Sequence, residues 1–352
     1  MKRFDYSRPT SIAEAVALGA QPGSVYLAGG TNLMDLMKGN VARPTRVIDI
    51  TRLPGLDTID VLQDGALRIG ALARNSDIAY HPEVSTRYPA VAEALLSGAS
   101  AQLRNAATAG GNLLQRTRCA YFFDLASACN KREPGSGCDA MGGENDLHAV
   151  LGWSPQCIAT HPSDFCVPLV ALDAVVEIEG RGGRRDVPLD AFYRLPGDEP
   201  QRETVLEPGD LVVAIRIPAS SAGFADHSRY LKVRERTSYA FAAVSAAVAL
   251  KLDGSTIVEA RVALGSVALK PWRARDAERV LVGKTVGEAA FTEAAAAALA
   301  DAKPSGHNAA KIELARRVVA RAISLAARGT PEHMPALPAS VFAQPEGAAL
   351  HV

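Results

Sequence analysis

Two short segments carry the same chemistry: AGGTNLMDLMK, Ala28 to Lys38, and TAGGNLLQRTRC, Thr108 to Cys119. Each places two glycines beside a hydroxyl and an amide, just before apolar residues resume. Glycine lets backbone approach a ligand closely, and hydroxyl and amide groups hydrogen-bond phosphate or sugar oxygens. Two such bends suit an extended ligand with a diphosphate at its middle, although each is also what a glycine turn with a helix cap looks like. Neither contains the GxGxxG spacing of a Rossmann unit, so that fold is not expected.

The second chemical feature is sulfur. Cys119, Cys129, Cys138, Cys157 and Cys166 are the chain's five cysteines, an odd number that cannot all pair. Thiolates are soft ligands for zinc or iron–sulfur clusters. The spacing matches neither a CxxC zinc pair nor the ferredoxin run, and leaves a cluster, zinc and unligated thiols all open. Cys166, between Phe165 and Val167, reads as a buried core thiol. His148 and His161 are alternative ligands, though a histidine near cysteines is more often a hydrogen-bond partner.

Composition narrows the setting for this chemistry. The length of 352 residues predicts two or three domains, and 48% hydrophobic residues exclude global disorder. Lys+Arg and Asp+Glu are both 38, against a large nucleic-acid footprint. The best apolar stretch, Tyr239 to Leu250, is too short to cross a bilayer and is Ala-rich like a buried helix. The first residues lack the apolar run of a signal peptide, so cytoplasmic folding is expected, with periplasmic export alongside a signal-bearing partner also open.

Elements that would position these groups can be read along the chain. Ser11 to Ala20 has helical periodicity. Val25 to Ala28, Gly29-Gly30 and Leu33 to Met37 read as strand, turn and helix, and Val47 to Ile50 as another strand. LRIGAL from Leu67 predicts a strand, followed by a helix capped by Asn75 or Ser76 and a second helix in YPAVAEALLSGAS. The cysteine segment reads as a long ordered loop. Pro162 to Ala174 predicts a helix capped by Ser163 or Asp164, then strands in AVVEIEG and DLVVAIRIP, with a boundary near 219–227. YLKVRE and IVEARVALG predict strands around a turn at Asp253-Gly254, and Lys311 to Ala327 a helix.

The chain resembles the flavin-binding subunit of the xanthine dehydrogenase and molybdenum hydroxylase family. AGGTNL and TAGGN match its two FAD phosphate loops, and the likeness continues through HPSD at His161 to Asp164, YLKVRERTSYAFA from Tyr230 and VALGSVALKPWRA from Val262, covering about residues 1–327. It implies an α+β fold: a vanillyl-alcohol-oxidase-like (PCMH-type) two-part FAD-binding region, then a CO-dehydrogenase-flavoprotein-like C-terminal α/β domain. The expected divisions are 1–60 and 61–220 for the two FAD-binding subdomains, with a cluster loop at 115–160, then 225–328 for the C-terminal domain and 329–352 for a tail.

Residue roles follow from the same resemblance. Leu27, Ala28, Gly29, Gly30, Thr31, Asn32, Leu33, Met34 and Asp35 would surround the FAD diphosphate, and Thr108, Gly111 and Asn112 would hold its central part. Asp164 would reach the ribityl or ring-proximal region and Lys232 would approach the flavin from the later domain. RTRCAYFFDLASACNKREPGSGCDA looks like the periplasmic aldehyde oxidoreductase branch, which implies a [4Fe-4S] cluster on Cys119, Cys129, Cys138 and Cys157.

The implied function is electron transfer. This chain would be the FAD and [4Fe-4S] subunit of an aldehyde oxidoreductase making carboxylic acids. A large subunit would carry molybdenum cofactor and a small one [2Fe-2S] clusters, in a heterotrimer or its dimer. Single electrons would be collected in pairs at FAD and leave to oxygen, quinone or another redox protein. Alternatives are the equivalent subunit of a xanthine, N-heterocycle or aromatic acyl-CoA oxidoreductase, and a zinc-stabilised nucleotide-binding assembly module.

Overall fold

The computed structural model describes residues 1–332. Of the tail expected at 329–352, positions 333–352 lie outside the described residues. Gly329 and Thr330 lie inside them, and the Thr330 hydroxyl donates to the Ala225 carbonyl at 2.6 Å.

The first part is a small parallel sheet. Strands β1 (Asp5–Ser7), β2 (Ser24–Leu27) and β3 (Arg46–Asp49) stand in the order β1-β3-β2. Helix α1 (Ile12–Gly19) joins β1 to β2, and α2 (Leu33–Lys38) leads from β2 toward β3. Ser11 caps α1 by accepting from the Glu14 amide, and the Glu14 carboxylate accepts from the Thr10 amide at 2.8 Å, a near relative of the capping box. Asp49, at the end of the central strand, accepts from Thr51 and Arg8 and also contacts the Tyr6 hydroxyl. Burial would raise its pKa, but these hydrogen bonds hold the carboxyl well below the usual range.

The second part is an antiparallel sheet in the order β4-β5-β8-β6-β7. Its strands are β4 (Ile59–Val61), β5 (Leu67–Gly70), β6 (Val175–Gly180), β7 (Gly183–Pro188) and β8 (Leu211–Ile217). Between β5 and β6 run short helices: α3 (Asn75–Tyr80), α4 (Pro82–Arg87), α5 (Pro89–Ser97), α6 (Ala101–Arg104), α7 (Ala109–Leu113), α8 (Ala120–Phe123) and α9 (Cys166–Ala171); α10 (Leu189–Phe192) follows β7. Two expectations change here. Arg74 is the residue before α3 and gives no side-chain cap, and α9 begins only at Cys166, whose amide donates to Ser163 Oγ at 3.3 Å.

The third part is a sheet in the order β12-β11-β10-β9, formed by β9 (Ser228–Val233), β10 (Val244–Asp253), β11 (Thr256–Gly265) and β12 (Trp272–Arg273). Helices α11 (Arg275–Leu281), α12 (Glu288–Ala298) and α13 (Ala309–Ala327) cover one side. The Ala-rich stretch expected as a buried helix is strand β10. Val244, Ala246, Val248 and Leu250 enter the core shared with α13, whereas Ala247 and Ala249 enter the core shared with α9 and the second sheet. A strand buried on both faces loses the polar alternation that marks a strand in sequence. Its partner β11 is reached through the two-residue turn Gly254-Ser255, where Gly254 has φ +57°, as the first position of a primed turn requires. Arg273 ties this sheet to α9 by donating to the Val170 carbonyl at 2.6 Å.

Candidate functional site

The two glycine bends meet. The first lies between β2 and α2, with Gly30 at φ +74°, a conformation that favours glycine. A side chain on Gly29 would place its Cβ 1.9 Å from the Ala106 carbonyl oxygen, so only glycine lets the first bend rest on the backbone leading into the second. In the second bend Thr108 caps α7, its hydroxyl accepting from the Gly111 amide at 3.3 Å. Gly111 is exposed, and a Cβ there would meet only the Thr108 hydroxyl.

Side chains lock the bends to neighbouring segments and leave one donor over. Asn32 Oδ1 accepts from the Arg116 amide at 2.9 Å, while Asn32 Nδ2 is buried with no hydrogen-bond partner. A buried N–H without an acceptor is costly, and a ligand oxygen would satisfy it. Asn112 Oδ1 accepts from Gln115 at 2.7 Å and from Ser163 Oγ at 2.6 Å, which joins the second bend to the segment bearing Asp164. Arg118, which the sequence reading did not single out, is largely buried beside Asp35, and its Nε also lacks a partner. Burial pushes its pKa down. Its guanidinium covers the Phe241 ring, 4.8 Å from the centroid. Only the folded chain brings Arg118 near the first bend.

Asp164 and Lys232 also come together. Lys232 Nζ donates to Asp164 Oδ2 at 2.8 Å and to the Ser97 carbonyl at 3.3 Å, and the Tyr230 hydroxyl donates to Asp164 Oδ1 at 2.5 Å. The Lys232 side chain is 4% exposed, so it is no solvated strand-edge charge. Burial and the neighbouring carboxylate raise the Tyr230 pKa, which keeps the phenol a donor. Glu93 secures the strand beneath by accepting from the Tyr230 amide and from Arg229.

Cys119, Cys129, Cys138 and Cys157 line one small cavity of about 10 Å³, room for about one water. Among the described residues no group of three or more His, Cys, Asp or Glu side chains is placed to hold a metal ion. That finding overturns both the [4Fe-4S] cluster and the zinc alternative. Burial raises the thiol pKa of Cys119 to about 11 and raises those of Cys138 and Cys157. Cys119 Sγ lies 3.2 Å from His148 Nε2, whose pKa burial lowers to about 4, and the pair is neutral. Cys166 is fully buried, 3.1 Å from the Tyr193 hydroxyl.

These groups fit FAD: an unsatisfied buried amide donor in the first bend, a glycine-lined second bend joined to it, and a buried lysine–carboxylate pair one segment away. Comparison with known proteins agrees. The family described as the FAD binding domain in molybdopterin dehydrogenase matches residues 2–220, and the CO dehydrogenase flavoprotein C-terminal domain matches residues 229–326. The chain is 50% identical to the aldehyde oxidoreductase FAD-binding subunit PaoB of Escherichia coli strain K12, over 92% of this chain and 98% of that one. It is 31% identical to the carbon monoxide dehydrogenase medium chain of Hydrogenophaga pseudoflava, over 92% and 97% of the two chains. A solved structure of carbon monoxide dehydrogenase from that organism superposes with TM-score 0.73, covering 93% of this chain and 99% of the other at 31% identity. Quinoline 2-oxidoreductase from Pseudomonas putida 86 does so with TM-score 0.71 over 92% and 97%, at 25% identity. The chain therefore belongs to the FAD-binding subunits of the molybdenum hydroxylase family, and is part of an oxidoreductase.

Proposed function

We propose that this chain is the FAD-carrying, electron-output subunit of a molybdenum-dependent oxidoreductase that converts aldehydes to carboxylic acids. The observation that carries the aldehyde reading is 50% identity over nearly the whole of an aldehyde oxidoreductase FAD-binding subunit. FAD, when bound, supplies two-electron redox chemistry. The chain's own residues bind and orient it: Leu27 to Asp35 and Thr108, Gly111 and Asn112 hold the diphosphate region, with Asn32 Nδ2 donating to it. Tyr230 and Lys232 fix both oxygens of Asp164, so that the carboxylate keeps one orientation, from which it would reach the ribityl or ring-proximal region of a bound FAD. The domain divisions at 60/61 and near 220–225 belong to this reading.

Partner subunits carry the molybdenum cofactor and [2Fe-2S] clusters, and the substrate contacts lie on the molybdenum subunit. Among the described residues no helix is long and apolar enough to cross a membrane. We place the complex in the periplasm, by export with a signal-bearing partner, or in the cytoplasm, and cell fractionation separates the two. The purified complex should reduce an artificial acceptor when given aldehydes, and removal of FAD should abolish electron delivery to the physiological acceptor. Turnover with carbon monoxide or a heterocycle but with no aldehyde would overturn the substrate class, and undiminished output without FAD would overturn the role. Rapid mixing of the reduced complex with oxygen, quinone and NAD tests the acceptor, where fast reoxidation by NAD alone would contradict an oxygen or quinone output.

A further inference from the structure

A second cavity, of about 180 Å³, opens behind the glycine bends. It is smaller than the ~300 Å³ at which drug-sized pockets begin, and so suits a small molecule. Its lining includes the apolar Leu113, Leu269 and Pro162 and the polar Arg116, His161 and Glu203.

Two features of the polar lining call for an anion. His161 Nδ1 accepts from the Ser163 amide at 3.3 Å, which leaves the ring hydrogen on Nε2. That Nε2–H is buried with no hydrogen-bond partner, in a residue 7% exposed. The Leu113 carbonyl is close to this nitrogen but does not meet hydrogen-bond geometry with it, and accepts instead from the Tyr193 hydroxyl at 3.0 Å. The second feature is charge. Buried Lys131, at 2.8 Å, and half-buried Arg116 both pair with the single carboxylate of Glu203, which leaves one positive charge in excess among the three. Burial holds His161 neutral, with its pKa lowered to about 4, so it does not add to that charge. The guanidinium, with more hydrogen-bond donors than one shared carboxylate uses, is free to take a second anion in a charge-assisted bond.

We infer that this cavity is an accessory site for a small monocarboxylate with an apolar body, its carboxylate received by Arg116 and the His161 Nε2–H and its body lying on Leu113, Leu269 and Pro162. The site adjoins the two glycine bends, since its lining residues Leu113 to Thr117 follow directly on Asn112. The Arg116 amide donates to Asn32 of the first bend, and Gln115 donates to Asn112 of the second.

The test is calorimetric titration of the FAD-loaded full chain with benzoate, beside benzamide as its neutral counterpart. Benzoate should bind saturably at one site per chain and benzamide should not. Arg116→Gln keeps the backbone amide that holds Asn32, and should weaken benzoate at least about tenfold with FAD content unchanged. His161→Phe fills the cavity and removes the donor, and should abolish binding. Lys284→Gln, at an exposed ion pair with Glu293, should leave it unaltered. No benzoate binding to the FAD-loaded wild type, equal binding of benzamide, or unchanged affinity in both Arg116→Gln and His161→Phe would each overturn the assignment.

Discussion

Gly29→Ala is the sharpest probe of how the two glycine bends cooperate. The added methyl would lie 1.9 Å from the Ala106 carbonyl oxygen and 2.8 Å from its carbon, both backbone atoms that cannot rotate aside. Forcing one carbon into a packed site costs about 1–3 kcal/mol. If the bends stay together in the free protein, this strain is paid in folding and lowers the melting temperature by roughly 2–10 °C. If they spring apart, it appears in FAD binding, where every ~1.4 kcal/mol is a factor of ten, as a loss of about 5- to 150-fold. Melting curves of the apoprotein and FAD titration by flavin fluorescence measure the two parts. Gly111→Ala is the control, because its Cβ meets only the Thr108 hydroxyl, at 3.1 Å. A Gly29→Ala protein that melts and binds FAD like the wild type would refute the close approach of the bends.

Three further outcomes are expected. Lys232→Met leaves the Asp164 carboxylate largely buried without its cation and should destabilise by about 3–5 kcal/mol in denaturant unfolding, with much of this recovered in Lys232→Met/Asp164→Leu. His161 has its folded pKa lowered to about 4 by burial, against an ordinary 6.5, so the unfolded chain binds its proton first. Stability should therefore fall as pH drops from about 6.5 to 4, by up to about 3 kcal/mol from this residue, and less in His161→Gln. Lys311 donates to the Leu147 and His148 carbonyls and has its pKa lowered by burial to about 7, against an ordinary 10.5. The unfolded chain holds this proton more tightly, so stability should rise with pH between about 7 and 10.5, by at most about 5 kcal/mol, and Lys311→Met should flatten that rise.

How legible all this is from sequence depends on how local the cause is. Strand, glycine turn and helix around Gly29-Gly30 can be read because turn chemistry and apolar spacing sit in a dozen consecutive residues. The same holds for α1, with its Ser11 cap, and for α13, whose buried stripe recurs at helical spacing. β10 cannot be read this way, since its alanines are set by two cores meeting on either face. β7, α11 and α12 also escape notice: β7 is a polar edge strand and α12 is mostly alanine. Within the site, the residue types in the bends are visible, but the unpartnered Asn32 amide, the buried Arg118 and the Lys232–Asp164 contact depend on segments far apart in the chain. The cysteines mark the opposite case. Their spacing leaves cluster, zinc and unligated thiols open and the family resemblance implies a cluster, yet the folded segment holds no set of side chains placed for a metal among the described residues.

The Thr117 hydroxyl donates to the Thr160 carbonyl at 3.1 Å, across 43 positions of chain. The cysteine-bearing segment therefore leaves and re-enters the domain at nearly the same point, like a bead hung from a clasp. Because closing a loop costs little more as the loop lengthens, the exposed parts of such a segment can grow while the two ends remain a few ångströms apart. Its residues nonetheless reach outward: Phe122 and Cys129 pack on Leu36 of α2, and Val150 and Leu151 enter the core of the third sheet. A shortened chain that joined Thr117 to Thr160 would have to replace those core contacts as well as the turn, so the clasp fixes where the segment is attached while its packing ties the first glycine bend to the third sheet.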